Sequence, residues 1–552
     1  MTKVIVVNNV NKRCSEILEK HGIEVVTILP NAKPEDLSPA DAAVIRSKPT
    51  FTREFIDATS PRIIARPGIG VDNIDTQYAT ERGIAVVNTP LGNTNGVAEY
   101  VMGAMLSVYR YFPQADVLTK AGEWPRGTFE GHEIGGRKIG FAGMGNIPRN
   151  LVEKTFAFQM QPGFYDPYVR TEEVMQSLYG DFRPPEKELR KYGTLEELFS
   201  NSDIVSLHLP LTQETRGRIN RKLLEMLKEG ALLINTSRAE VIEEGVLEYV
   251  MKERPDLRAV LDVHYLEEKG RQGMAEFGDR VILTPHMAGS TDESQERCAQ
   301  SAAEQIVEFF ETGKARHWVN GYKIPEDLSG YMQLARKLGY MASRFVSSPV
   351  RIEFTCYNGL GEYEDALRRA VIAGALQEGP EFVNELNAGI VAERIGLDVR
   401  TREGNKSKRY GNSITVDLIA DGEDISLRGS RSSEEETGYT DVLKSIGRNS
   451  RDSDTKPDFY LKGGFPLEGD VAIIIYDETK GAAHAITGIT TDKGLDIAYT
   501  VQGKSADRTR AVYCMRLEGD ATQNVFDGVL AAGSMEIGNQ RYRVHKAVTA
   551  QL

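Results

Sequence analysis

Gly136-Arg137-Lys138-Ile139-Gly140-Phe141-Ala142-Gly143-Met144-Gly145-Asn146-Ile147-Pro148-Arg149 is the stretch whose reading decides the fold. A short apolar run, Ile139 to Ala142, reads as a strand. It enters a glycine turn and then a helix carrying Leu151, Val152 and Phe156. That order suits a dinucleotide. Gly143 permits the tight turn, Gly145 lets the backbone approach a pyrophosphate, and the N-terminus of the helix, opening at Asn146 and Ile147, turns free N–H groups toward phosphate charge. Asp166 ends the next strand-like run, Gly163-Phe164-Tyr165, where a carboxylate can accept from ribose hydroxyls. No arginine follows it directly, which favours NAD over NADP. Pro148 stands where a third glycine commonly opens the helix–strand contact. Proline is tolerated in a first helical turn, whose N–H groups are unpaired anyway.

Outward from this stretch, the β-α rhythm of a parallel sheet continues in both directions. Strands are expected at Val4–Val7, Glu24–Thr27, Ala43–Ile45, Ile63–Ala65 and Ala85–Val87 on one side. On the other they are expected at Ile204–Leu207, Leu232–Asn235, Val260–Asp262 and Val281–Thr284. Helices are expected over Lys12–His21 and Asn73–Arg82, and Val97 to Tyr111 reads as a long apolar helix between two domains. A capping-box pattern at Ser290-Thr291-Asp292-Glu293 opens a helix that returns the chain to the first domain. The fold class is thus α/β: two Rossmann-like doubly wound domains, the first split in sequence, followed by two α+β domains of regulatory type. The boundaries read as 1–98 and 290–320 for the split substrate domain, 99–289 for the nucleotide domain, 325–455 for a third and 456–552 for a fourth. Within the third, Gly429 to Pro457 is polar and reads as loop or linker. Strand and helix patterns from Val471 to Val548 suggest β-α-β-β-α-β, a ferredoxin-like unit.

At 552 residues the chain needs several cores. A net charge of −13 argues against general binding to nucleic acid or anionic membranes. Four scattered cysteines, Cys14, Cys298, Cys356 and Cys514, show no metal or disulfide spacing. The start reads as a strand rather than a signal peptide, and no apolar run reaches spanning length, so a cytoplasmic protein is expected.

Chemistry is expected at the carboxyl ends of the strands, where open parallel sheets bind ligands. Arg238, Glu267 and His286 each follow such an end. Singly they have ordinary readings: a surface ion pair, a solvated acid, a packed ring. Together, after successive strands, they suit hydride chemistry on a 2-hydroxy acid, with the histidine taking the hydroxyl proton, the acid orienting it and the arginine holding a carboxylate.

Six ordered motifs carry a resemblance to the D-isomer-specific 2-hydroxyacid dehydrogenases: Arg66-Pro67-Gly68-Ile69-Gly70-Val71-Asp72-Asn73, Asn88-Thr89-Pro90-Leu91-Gly92-Asn93-Thr94, the glycine turn, Ser206-Leu207-His208-Leu209-Pro210-Leu211-Thr212, Ile234-Asn235-Thr236-Ser237-Arg238 and Thr284-Pro285-His286. The resemblance implies that Arg238, Glu267 and His286 are the catalytic trio and that NAD is the cofactor. It implies that Gly143, Gly145, Asn146, Ile147, Asp166, Pro210, Thr236 and Ser237 meet the cofactor and that Asp262 sits by the nicotinamide. Ile69, Gly70 and Asn93 would bind substrate. Lys269-Gly270 departs from the family, where a proline commonly follows the acid. Arg46-Ser47 and Arg126, in Trp124-Pro125-Arg126, resemble the positions where phosphoglycerate dehydrogenases gather charge for a phosphate. The tail resembles the long form of that group, through Phe382-Val383-Asn384-Glu385-Leu386-Asn387-Ala388, Ala392-Glu393-Arg394 and Tyr410-Gly411-Asn412-Ser413-Ile414-Thr415-Val416, with an ACT-like end. The implied reaction is NAD-dependent oxidation of D-3-phosphoglycerate to 3-phosphohydroxypyruvate, the first step of serine biosynthesis. The alternatives are another 2-hydroxy acid such as 2-hydroxyglutarate, or a non-catalytic NAD(H)-sensing regulator. A homodimer or homotetramer and a possible amino-acid effector in the tail are also implied. Asp477-Glu478-Thr479-Lys480-Gly481 departs from the effector-binding turn. No metal is expected.

Overall fold

The computed structural model describes residues 2–552 apart from 181–186, 266–272, 322–324, 326–327, 347, 405–411, 421–422, 435–437, 448–458, 480–481, 485, 488–495, 506, 519–533 and 538–539. The first sheet contains β1 (Lys3–Val7), β2 (Glu24–Ile28), β3 (Ala42–Val44), β4 (Ile63–Arg66) and β5 (Ala85–Asn88), in the order β2-β1-β3-β4-β5. Every pairing in it is parallel. Val4, Val44, Ile63 and Val86 are wholly buried, as strands covered on both faces require. A helix from the far side of the sequence, Asp292–Thr312, supplies part of the cover: its Ala299, Ala302, Ala303 and Ile306 share one core with β3 and β4. The capping residue of that helix is Thr291, whose hydroxyl accepts from the Ser294 N–H at 3.1 Å, one position later than the capping-box pattern implies.

The second sheet contains β6 (Lys138–Ala142), β7 (Gln161–Tyr165), β8 (Arg190–Lys191), β9 (Ile204–Leu207), β10 (Leu232–Asn235), β11 (Arg258–Leu261) and β12 (Val281–Leu283). Its order is β12-β11-β10-β9-β6-β7-β8, again all parallel. The chain winds one way from β6 to β8 and the other way from β9 to β12. The β6–β9 gap is therefore the switch point where a doubly wound sheet opens a crevice, and β6 feeds the glycine turn directly into it. The two-residue edge strand β8 carries no pattern a sequence could announce. The bridging helix runs Thr94–Tyr109, starting and stopping slightly earlier than expected; Tyr111, at φ +54°, turns the chain out of it.

The tail departs from the sequence reading in the polar stretch after Gly429 and at the 455/456 boundary, since Phe459–Pro466 joins the sheet of the third domain. Its first sheet has β13 (Arg351–Tyr357), β14 (Asp398–Glu403), β15 (Ser413–Ala420), β16 (Glu423–Glu434), β17 (Gly438–Gly447) and β18 (Phe459–Pro466), ordered β14-β13-β15-β16-β17-β18. Gly429 to Gly447, expected as linker, therefore lies mostly in two paired antiparallel strands. Ile425, Leu427, Leu443 and Ile446 are buried, while Ser430, Asp441 and Ser445 are enclosed as well. The polar residues hid the strand from a reading by hydrophobic alternation. The last sheet has β19 (Asp470–Asp477), β20 (Asp496–Lys504), β21 (Arg510–Glu518), β22 (Ser534–Ile537) and β23 (Gln540–Gln551), ordered β20-β21-β19-β23-β22. Without the extra strand β22 this is the ferredoxin-like arrangement; the helix expected at Ala521–Ala531 lies outside the described residues. Val471 and Ile473 of β19 share a single core with Leu427 and Phe465, so the two tail sheets pack as one body. That body docks on the first sheet. Asn384 donates to the Gly83 carbonyl at 2.6 Å, Asn387 donates to that of Glu81 at 3.3 Å, and Leu386 enters the first core. No helix among the described residues is long and apolar enough to cross a membrane.

Candidate active site

The carboxyl ends of the two parallel sheets face each other. Arg238, just past β10, reaches Asp72, in the loop after β4, through Nε at 3.0 Å and Nη2 at 2.6 Å. Asn146, at the glycine turn, leans toward the Pro90 carbonyl beyond β5 at 3.4 Å.

On the nucleotide side, Gly143 stands at φ +96°, and a Cβ there would lie 2.6 Å from the His208 carbonyl oxygen. A Cβ on Gly145 would meet nothing within 4 Å, so the space in front of that backbone is open. The helix Asn146–Ala157 begins there, and Pro148 is buried with Leu151 and Val152 on its inward face, away from the open space. The proline that stands in for a third glycine thus leaves the phosphate berth free. Asp166 is held at the rim, its Oδ2 accepting from the Met144 N–H at 2.9 Å and its Oδ1 from that of Tyr168 at 2.9 Å. Beyond β10, Asn235 Oδ1 accepts from both the N–H and the hydroxyl of Ser237. The hydroxyl of neighbouring Thr236 is buried with no partner among the described residues. An orphaned buried hydroxyl costs about 1–3 kcal/mol unless a ligand meets it. Pro210 is exposed after β9, its carbonyl accepting from Thr215. An open Gly145 berth and a helix N-terminus for the phosphates, a rim carboxylate that accepts, and an orphaned hydroxyl form a polar set that fits NAD. Ile147 is half-buried in the first turn of the same helix.

On the opposite wall, a Cβ on Gly70 would lie 1.6 Å from Arg238 Nη2, so the guanidinium rests directly on that backbone. Burial would raise the Asp72 carboxyl, but Arg238 outweighs it and holds the group below its usual range. The loop is pinned from behind. Asn88 Nδ2 donates to the Ile69 carbonyl at 2.7 Å, and Thr89 and Gly68 exchange two hydrogen bonds. The N–H groups of Ile69 and Gly70 meet no acceptor among the described residues, which suits them to a carboxylate.

Arg66, the last residue of β4, is a member of this group that the sequence reading left unassigned. Burial, and then the nearby Arg238, push its guanidinium down to about 10, with Arg46 adding a smaller like-charge push. Its Nε is buried without a partner among the described residues. A buried cation pressed by like charges is relieved by an incoming anion. Arg46 is half-buried beside it, donating to the Asn9 carbonyl at 3.0 Å, and burial lowers it also. Ser47 is exposed one residue on. Arg126 does not join them within the chain. It is exposed in the turn after the helix Phe112–Lys120, because Trp124-Pro125-Arg126 leads away over the surface.

His286 follows β12 on an exposed turn at φ +53°. Asp262, 1% exposed, builds that turn. Its carbonyl accepts from the His286 N–H at 2.9 Å, its Oδ1 from Met287 N–H at 2.8 Å and Thr284 Oγ1 at 2.6 Å, and its Oδ2 from Ala288 N–H at 2.8 Å. Expected beside the nicotinamide, Asp262 in this structure has both oxygens engaged with the turn that bears the histidine. Asn93 packs on Gly289 in the same turn, and its Oδ1 is buried without a partner among the described residues. Glu267 lies outside the described residues.

Residues 102–288 match the family model for the D-isomer specific 2-hydroxyacid dehydrogenase NAD binding domain, and residues 327–442 match that for the D-3-phosphoglycerate dehydrogenase intervening domain. D-3-phosphoglycerate dehydrogenase of Methanocaldococcus jannaschii is 31% identical over 541 residues, covering 96% of this chain and 97% of its own. The Synechocystis enzyme of the same name is 33% identical over 456 residues, 80% of each chain. Among solved structures, the TT0316 protein from Thermus thermophilus superposes with a TM-score of 0.51 at 25% identity, over 58% of this chain and 100% of its own. With such identity over nearly its whole length, and an NAD-binding domain at the site just described, the chain belongs to the D-3-phosphoglycerate dehydrogenases, a branch of the NAD-dependent D-isomer-specific 2-hydroxyacid dehydrogenases.

Proposed function

We propose that the chain oxidises D-3-phosphoglycerate to 3-phosphohydroxypyruvate, opening the route to serine. The observation that carries this reading is the Arg66 guanidinium within electrostatic reach of both Arg46 and Arg238, with Arg238 resting on the Gly70 backbone. Arg238 and the two N–H groups hold the substrate carboxylate, while Arg46 and Arg66 take the phosphate through their forked donors. NAD, when bound along the Gly145 berth, supplies the hydride acceptor. His286 takes the proton of the C2 hydroxyl, and Arg238 polarises its oxygen as the carbonyl forms. Glu267 orients the imidazole and favours its protonated form.

A substrate panel with NAD tests this. D-3-phosphoglycerate should be oxidised in preference to 2-hydroxyglutarate, and Arg66→Ala should raise KM for the phosphorylated acid roughly 10- to 100-fold, the worth of a charged hydrogen bond. Equal losses on both acids would remove the phosphate from the reading. His286→Ala should lower turnover roughly 10²–10⁴-fold while NADH still binds.

We also infer a homodimer or homotetramer. The helix Phe112–Lys120 has no buried residue, and Phe112, Val117 and Trp124 stand 55%, 64% and 75% exposed, apolar side chains that suit contact with a second copy. A monomer mass by light scattering would refute it. The four described thiols are free and buried, which suits a reducing, cytoplasmic compartment. In the last sheet Asp477 pairs with His545, and Glu478 with Lys504, so the turn that departs from the effector-binding pattern has an internal partner for each acid, while Glu478 Oε2 is buried with none among the described residues. Added L-serine that lowers turnover would argue for an effector site there; a null result favours an assembly role.

A further inference from the structure

The turn that presents His286 is left-handed at a residue with a Cβ, a conformation that persists only where its surroundings over-determine it. Asp262 supplies one layer of that restraint. The next layer comes from a different element. Thr284 Oγ1 lies 2.6 Å from Asp262 Oδ1 and 2.5 Å from the phenol oxygen of Tyr100. The polarity of this chain follows from chemistry. An ionised carboxylate only accepts, so the Thr284 hydroxyl proton points to Asp262. That leaves Thr284 an acceptor toward Tyr100, and the phenol must donate. Burial, the largest influence on it, outweighs the lowering by the Thr284 contact and, with the Asp262 charge, raises the phenol above its ordinary value. Tyr100 sits on the bridging helix Thr94–Tyr109, whose Ala98, Val101, Met102 and Met105 belong to the core of the nucleotide domain. The catalytic turn is thereby tied to a rigid body rather than to its own loop.

We infer that Tyr100 and Thr284 are positioning residues for the acid–base histidine: a one-way hydrogen-bond chain, Tyr100 Oη–H to Thr284 Oγ1–H to Asp262 Oδ1, anchors the left-handed turn to the bridging helix. The inference rests on His286 having the role proposed above. Neither residue touches substrate or cofactor in this reading; both act through Asp262 and the backbone it holds. Donors in series polarise one another, so loss of the outer member weakens the inner bond.

Steady-state kinetics on the full-length protein, with NADH affinity measured by fluorescence, tests it. Thr284→Val removes the relay while keeping the branched shape, and should lower kcat roughly 10- to 100-fold, the cost of a slightly misplaced catalytic group, with NADH affinity unchanged. Thr284→Ser keeps the hydroxyl and should restore most of the turnover. Tyr100→Phe should cost roughly 3- to 10-fold alone and nothing further in the Thr284→Val background, since it acts only through that hydroxyl. Additive losses, a serine variant as poor as valine, an unchanged kcat in Thr284→Val, or a parallel loss of NADH binding would each overturn the relay. His286→Ala separates the two readings. Should it leave turnover intact, the acid–base assignment fails. Should it abolish turnover while Thr284→Val does not lower it, the relay alone fails.

Discussion

Gly70 shows how much of this site depends on one missing methyl group. Arg238 can rest on the Ile69–Gly70 loop because no side chain intervenes, and Asp72 fixes the guanidinium from its other edge. Gly70→Ala would put a Cβ 1.6 Å from Nη2 and 2.8 Å from Asp72 Oδ2, so the arginine must swing away. A displacement of that order lowers kcat/KM by about 10²-fold, and NADH affinity should hold, because the glycine turn lies on the opposite wall. Steady-state kinetics beside an NADH titration would show this. Unchanged kinetics would mean that the carboxylate binds elsewhere. Arg66 illustrates the limit of residue-level reading. It stands in a quoted motif at the end of a strand, yet a strand-final arginine in sequence looks the same whether it meets solvent or a second guanidinium.

At the scale of elements, the end of β9 supports the nucleotide site from beneath. His208 follows that strand, its carbonyl faces Gly143, and its Nε2 lies 2.9 Å from the Ser206 hydroxyl. Burial pushes its pKa from 6.5 down to about 3, so the folded protein keeps a neutral ring. In the unfolded chain the ring protonates near its ordinary value. Between these values the unfolded state binds more protons, so stability falls as pH drops through this window. The loss from pH 7 to pH 5 is about 2 kcal/mol from this group. His208→Gln, less stable at neutral pH, should lack that increment when denaturant melts at pH 7 and pH 5 are compared. An equal acid loss in both proteins would show that the ring is not held neutral. The element misread from sequence, the β16–β17 hairpin, failed for a related reason: polar side chains enclosed by tertiary packing imitate those of a solvated linker.

For the whole molecule, the joint between the tail and the first sheet is small and specific. Leu386 is 3% exposed inside the first core, and the Asn384 and Asn387 amides cap the turn at Glu81 and Gly83. That turn leads into β5, whose last residue, Asn88, holds the Ile69 carbonyl of the loop on which Arg238 rests. Leu386→Ala should destabilise the docked arrangement by about 2–5 kcal/mol, as a buried leucine does elsewhere. Hydrogen exchange should then accelerate across residues 76–88 with the last sheet unaffected; protection unchanged at 76–88 would show that the tail does not brace the substrate domain.

The α/β class, the parallel strands, the glycine turn and the strand-end positions of Arg238 and His286 were legible in the sequence. They depend on local patterns: apolar runs, glycine spacing and the rule that ligands meet the carboxyl ends of parallel strands. Tertiary structure alone decided which polar groups share a volume. It gathered Arg66 with Arg46 and Arg238, left Arg126 on the surface, turned Asp262 toward the His286 turn and tied that turn to Tyr100. Such contacts join residues as far apart as 72 and 238, or 100 and 284, and no local pattern encodes a distance that only packing brings about.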